Sequence, residues 1–323
     1  MATVYHRDDA GAPTYSMGSV VPSNTMHFEA VRTILKACLV SGYGAKPAAG
    51  WTLVAESTNY IVLRNGSMSG YVCLTWSGAG TAYIDVYVAE TFTGMSGNYM
   101  TGDGLKSGIA ANNATPQRIA LSSFVYNTSV HTWTLIADSR TFVINLCSMQ
   151  SSSAGEITNT SVGNFCSVLY VGEDSAGNFI STGGQNTTAT SPVNYFGLAG
   201  GTALKDPRSG LLIGAGALPG FTVFSSGVTQ GWSEVVPILK TSLARSIWGF
   251  NGGLGGYLRG VAFPVDVFAH FPSKAAQCLG LPVALTTRNV NTPIDLGDGF
   301  TYFATAHNYQ SAFRLITNNP EFW

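Results

Sequence analysis

The sequence predicts a mainly β fold, built of antiparallel sheets (sandwich-like or a meander), with one N-terminal amphipathic helix and long glycine-rich loops. Three observations predict it. Apolar residues take helical spacing only once: Phe28, Val31, Ile34, Leu35, Cys38 and Leu39 share one helical face, with Arg32 and Lys36 off the stripe. Beyond Trp51 the apolar runs are short, and the clearest of them alternates with period two. Glycine, 38 residues in all, together with Asn, Asp and Ser punctuates those runs, as turns between strands require.

Residues 1–25 carry Pro13 and Pro22 and show no periodicity. They read as an extended arm that orders on a partner. Ser23, Asn24 and Thr25 supply N-caps for the helix, and Gly42 and Gly44 end it. Strands follow at Trp51–Ala55 and Tyr60–Arg64, joined by Glu56–Asn59. Asn65-Gly66 marks a turn before Tyr71–Trp76, and Ser77–Gly80 marks the next. In Ala82–Ala89, Tyr83, Asp85 and Tyr87 point one way and Ile84, Val86 and Val88 the other. Residues 91–116 read as loop. Strands resume at Arg118–Tyr126, Thr132–Ala137 and Arg140–Cys147, with Asp138-Ser139 as a tight turn. Residues 148–161 are a Ser-, Thr- and Asn-rich excursion before a strand at Phe165–Gly172. Residues 173–204 read as a second long loop, of the kind that carries function or an interface. Short strands return at Leu211–Ile213, Phe221–Phe224, Glu234–Lys240, Leu281–Thr286, Phe300–Thr305 and Ala312–Thr317. Pro237 demotes its strand to an edge or bulge, Asn251–Gly256 reads as a flexible connection, and Lys274–Leu279 as a helical turn. No fixed period repeats, which removes propellers and solenoids. The expected organisation is an arm at 1–25, a helix with an antiparallel β domain at 26–150, and a second β-rich region at 151–323 continuous with the first.

The balance of residue types narrows the function. Only 10% of residues are charged while 45% are hydrophobic, so hydroxyls and amides fill the polar positions. Such a surface suits packing against neighbours, because burying a hydroxyl beside a partner costs far less than burying a charge. The net charge of −1 comes from scattered single residues, without the cationic cluster that nucleic acid requires. No apolar run approaches the ~20 residues of a membrane-spanning helix, and the N-terminus lacks an apolar signal core. The five cysteines, Cys38, Cys73, Cys147, Cys166 and Cys278, are odd in number and show no CxxC spacing. They read as reduced thiols of a chain folded in a reducing cytoplasm.

Candidate chemistry is sparse, and no catalytic, cofactor-binding or metal-binding residue is predicted. Gly214–Gly220 resembles a dinucleotide loop, but Pro219 displaces the third glycine and a β-like segment follows instead of a helix. Gly252–Gly256 lacks the Lys-Ser/Thr of a phosphate loop, and His6-Arg7-Asp8 matches a kinase triplet without its companions. The histidines His6, His27, His131, His270 and His307 are far apart. Asp85, Asp138, Glu173, Asp174, Asp266, Asp295 and Asp298 could include a pair for glycoside hydrolysis, and read better as single solvated acids at turns. Tyr83, Tyr87, Trp76, Tyr126, Trp133, Trp232 and Trp248 could stack on sugars or fill a core and its interfaces.

Three segments carry a resemblance. The run Leu35-Lys-Ala-Cys-Leu-Val-Ser-Gly-Tyr-Gly-Ala-Lys-Pro-Ala-Ala-Gly-Trp51 resembles the opening of a family of tailed-bacteriophage virion proteins of about this length. Trp133–Phe142 resembles its central hairpin and Leu258–Pro264 its late strand, in the same order and rough spacing, so the likeness spans residues 1–320. The chain departs from the pattern around Tyr71–Thr75 and at 91–116, and Asn318–Trp323 has no match. The resemblance implies a non-enzymatic structural component of the particle, associated with the tail or baseplate. It would be made in the bacterial cytoplasm and would bind copies of itself and other virion proteins. A receptor-binding module for host surface polysaccharide and a capsid- or neck-associated decoration protein are the alternatives. A polysaccharide-cleaving tailspike ranks last, since no β-helical repeat is present.

Overall fold

The computed structural model describes residues 1–15, 24–76, 83–104, 117–120, 129–150, 166–177, 179–183, 204–205, 212–213, 238–244, 254–264, 291–295, 297–304 and 315–323. The fold is mainly β, all described pairings are antiparallel, and one helix stands near the N-terminus.

That helix, α1 (Asn24–Leu35), runs on into a π-helical turn at Lys36–Ser41. The predicted stripe is the buried face: Phe28, Val31, Ile34, Leu35, Cys38 and Leu39 all lie in the core, while Glu29 is exposed. The carbonyls of its last turn do not go unpaired. The amide of Ala49 donates to Cys38, and those of Gly50 and Trp51 to Leu39. The chain therefore turns straight from the helix into the first sheet.

That sheet orders its strands β2-β3-β4-β5-β8, where β2 is Thr52–Glu56, β3 Tyr60–Arg64, β4 Tyr71–Thr75, β5 Tyr83–Ala89 and β8 Gln117–Ala120. Ile61, Leu63, Val72, Leu74, Ile84, Val86, Val88 and Ile119 face the main core with α1. The intervening Val62, Cys73, Tyr87 and Ala89 face a hairpin of β6 (Gly94–Ser96) and β7 (Tyr99–Thr101), whose Met100 is fully buried against them. This corrects the first part of the reading of 91–116 as loop, while 105–116 lie outside the described residues. Residues 94–101 form a cover for the chain's own sheet, with Tyr87 edge-on to Tyr99 and Tyr71 near Phe92. A central sheet covered on both faces needs apolar residues at successive positions, and Ile61-Val62-Leu63 and Val72-Cys73-Leu74 supply them.

The middle layer is a seven-stranded sheet. Its strands are β1 (Thr3–His6), β9 (Ser129–Ala137), β10 (Thr141–Gln150), β11 (Cys166–Glu173), β12 (Phe179–Gly183), β13 (Leu204–Lys205) and β14 (Leu212–Ile213), side by side in that order. One face, with Trp133, Leu135, Phe142, Ile144, Leu169, Val171 and Phe179, closes the main core. The other, with Ile136, Val143, Val168, Tyr170 and Ile180, packs on a third sheet through Leu258, Val261, Phe303 and Ile316. That third sheet runs β15-β16-β19-β18-β17: β15 is Ile238–Ala244, β16 Leu254–Pro264, β17 Ile294–Asp295, β18 Thr301–Ala304 and β19 Leu315–Thr317. The order of layers is thus hairpin, five-stranded sheet with helix, seven-stranded sheet, five-stranded sheet.

Three further segments differ from expectation. Within the 1–25 arm, Thr3–His6 pairs with β9 of the same chain, placing Tyr5 in the main core and Ala2 on the opposite interface. Within 173–204, Phe179–Gly183 is a strand opposite β11, with Phe179 and Ile180 buried. Leu254-Gly-Gly256 lies inside β16, which bulges against β15 at this end. Pro237, expected to demote its strand to an edge or bulge, lies outside the described residues, and the described strand β15 begins at Ile238. The expected strands at Phe221–Phe224 and Leu281–Thr286 and the turn at Lys274–Leu279 fall outside the described residues.

Candidate functional site

The turn between β9 and β10 is the point where distant stretches of the chain meet. Asp138 shapes the turn, its Oδ1 accepting the amides of Arg140 (2.8 Å) and Thr141 (2.9 Å). Its carbonyl accepts the indole N–H of Trp51 at 2.9 Å, and Trp51 lies edge-on to Phe142 with centroids 5.2 Å apart. From the other side Arg259, on β16, donates Nη2 to Asp138 Oδ2 at 2.5 Å. Both members of that ion pair are largely buried. Ser139 extends the junction to the turn after β3, its carbonyl accepting the Gly66 amide at 2.6 Å.

Trp323 completes the far side of this junction. Its ring lies 5.8 Å from the Arg259 guanidinium, and its indole N–H donates to the Thr317 carbonyl at 2.6 Å. Gly260 makes room for it. The backbone there has φ +69°, and a Cβ would sit 2.3 Å from the Trp323 ring. One residue of β16 therefore holds the turn while its neighbour seats the aromatic ring.

A second constellation fixes β1. Tyr43 donates its hydroxyl to Asp9 Oδ2 at 2.8 Å, and the His6 amide donates to the same oxygen at 2.8 Å. Lys46 pairs with Asp9 Oδ1 at 3.3 Å and donates to the Val4 carbonyl at 2.8 Å. The Tyr5 hydroxyl donates to the Pro47 carbonyl at 2.7 Å, and Trp133 donates its indole N–H to the Pro13 carbonyl at 3.0 Å. Gly44 approaches so closely that a Cβ would lie 2.1 Å from the Ala10 carbonyl oxygen. Burial pushes the Tyr5 and Tyr43 phenols above their ordinary value, and the bond to Asp9 pushes Tyr43 further the same way. The loop after the helix is thus a clamp, with its lysine covering a carbonyl of the β1 edge.

A third group lies between the middle and third sheets. Asn291 donates Nδ2 to Thr132 Oγ1 at 2.7 Å and accepts Asn145 Nδ2 at 3.0 Å, while its carbonyl accepts His6 Nε2 at 2.7 Å. The His6 ring stacks on Phe303 with centroids 5.6 Å apart. These bonds give the side chains of Asn291, Thr132, Asn145 and His6 a partner each within the packing.

The residues weighed for chemistry are dispersed. Asp85 and Asp174 are buried, the latter accepting the Ala176 amide at 2.8 Å. Glu173 accepts the Ser67 hydroxyl and pairs with Arg140 at 3.8 Å. Asp298 accepts the Tyr302 hydroxyl at 2.6 Å, and Asp295 the Gly297 amide at 2.8 Å. Trp76 is buried against Phe28, and Trp133 and Tyr87 are buried as well. Asp266, His270, His307, Tyr126, Trp232, Trp248, Cys278 and the glycine-rich stretches at 214–220 and 252–253 lie outside the described residues. Among the described residues no three His, Cys, Asp or Glu side chains gather as metal ligands, and no helix is long and apolar enough to cross a membrane. The bonds at Asp138 and Asp9 were not readable from spacing.

Set against protein-family models, the chain matches none. No curated protein matches it either.

Proposed function

We propose that the chain is a structural protein of a tailed-bacteriophage virion, associated with the tail or baseplate and acting by subunit assembly. The observation that carries this reading is the meeting of the three resembling segments. Trp51 from the first and Arg259 from the third both bond Asp138 in the second, across wide stretches of sequence. Segments that resemble a family only by chance have no reason to converge on one turn. Their convergence supports a likeness of framework.

The chemistry of the site agrees. Asp138, Glu173 and Asp298 each hold turns or neighbouring strands through the bonds described above. A surface with few ions and many hydroxyls and amides supports coverage by copies or companions. The reading as a glycan-binding module draws less support, because Trp51, Trp76, Trp133 and Tyr87 fill cores where no sugar reaches them.

Quantitative mass spectrometry of purified particles tests the proposal. The chain is expected at a fixed ratio to the capsid protein, retained through a salt wash. Its absence from washed particles would overturn the reading.

A further inference from the structure

Two cysteines that the sequence leaves far apart occupy facing positions in the middle sheet. β10 and β11 run in unbroken antiparallel register from Thr141 opposite Gly172 to Cys147 opposite Cys166. The Glu173 amide donates to the Arg140 carbonyl at 3.3 Å, which makes 140 and 173 a hydrogen-bonded pair at the start of this ladder. Hydrogen-bonded and non-hydrogen-bonded pairs alternate along antiparallel strands. Counting from 140 and 173, the pair Cys147 and Cys166 is of the non-hydrogen-bonded kind, in which Cα atoms lie about 4.5 Å apart. That separation is inside the roughly 4.4–6.8 Å that a disulfide spans.

We propose that Cys147 and Cys166 form an oxidisable pair, closing into a cross-strand disulfide when the protein meets a small-molecule disulfide such as oxidised glutathione. One cysteine thiolate attacks a sulfur of the small disulfide, breaking its S–S bond and forming a mixed disulfide as one small thiol leaves. The second cysteine thiolate then attacks the protein sulfur of that mixed disulfide and expels the second small thiol. Two protein thiols lose two electrons, one small disulfide gains them, and the two protons leave on the released thiols. The new bond joins the ends of segment 148–165 and ties β10 to β11 at the end of the ladder away from Asp138.

Two of the other thiols are shielded by burial. Cys38 and Cys73 are fully enclosed in separate hydrophobic clusters, and burial raises both thiols above their ordinary range, which keeps them from attack. The chemistry concerns the isolated chain and holds whether or not the chain is a virion component.

Purified full-length chain is incubated with oxidised glutathione, quenched with acid, alkylated and digested without reduction. Mass spectrometry is expected to find one peptide pair joined through Cys147 and Cys166. The thiols titrated after denaturation are expected to fall by two from the five in the sequence. Cys147→Ser is expected to abolish the link and leave Cys166 as a glutathione adduct. The proposal is overturned by an unchanged thiol count, by glutathione adducts on wild-type chain that never close, or by a link through any other cysteine or a second chain. The wild-type readout stands by itself should the serine variant fail to fold.

Discussion

The phenol of Tyr43 illustrates how a single group fixes a segment. It meets an Asp9 carboxylate that also accepts the His6 amide and pairs with Lys46, so one acid holds the strand, its turn and the clamp loop. Tyr43→Phe removes a hydrogen bond to a charged group and is expected to lower stability by about 1–2 kcal/mol in urea unfolding. A double-mutant cycle with Asp9→Asn should show that most of this loss is shared. Tyrosine also sets the alkaline limit. Burial first, and then the bond to the Asp298 carboxylate, push Tyr302 up to about 12 from an ordinary 10.0. Between those values the folded chain keeps a proton that the unfolded chain has released. The contribution of this phenol to stability is therefore level below about pH 10 and falls as pH rises toward 12. Tyr5, Tyr15, Tyr43 and Tyr170 are raised in the same direction and steepen the fall. Thermal scans across this range should show it, with a shallower slope in Tyr302→Phe. At this scale the sequence exposed residue types but not partners. Nothing in the spacing of Tyr43 and Asp9, or of Asp138 and Arg259, indicates that they touch.

Elements were legible where their pattern is local. The helical face of α1 and the alternation of β5 rest on neighbours three, four or two positions apart, and both are observed as read. The cover hairpin β6–β7 was not legible, because three-residue strands rich in Gly, Thr and Ser carry no period. Its contribution comes from Met100, which closes the outer face over Cys73 and Tyr87. Met100→Ala is expected to cost about 2–4 kcal/mol through the cavity it leaves. Denaturation should report the loss while the far-ultraviolet circular dichroism of the folded state stays unchanged. β1 escaped notice for a related reason. Its apolar alternation spans too few residues to stand out, and the β9 edge that receives it lies more than a hundred positions along the chain.

The described residues form a stack whose middle sheet is shared by two cores, and the Asp138 turn joins its layers at one edge. Arg259 ties the third sheet to that turn through a largely buried ion pair. Arg259→Ala leaves Asp138 without that partner and removes the guanidinium from beside Trp323, and is expected to cost about 2–4 kcal/mol. Calorimetry should show the loss, and hydrogen exchange should locate faster opening in β16 and β19. The arrangement of layers was not legible in the sequence, since sheet-on-sheet packing is set by contacts between segments rather than by periods within them. The composition nevertheless pointed to the outer surface, where hydroxyls and amides take the place of ions. The central claim is that this surface is covered by other subunits in a phage particle. A density map of the intact particle, at a resolution that traces strands, tests it most directly. The account predicts this stack of sheets repeated by the particle's symmetry, with its polar uncharged surfaces against neighbouring chains. A fully traced particle in which no density fits the fold would contradict it.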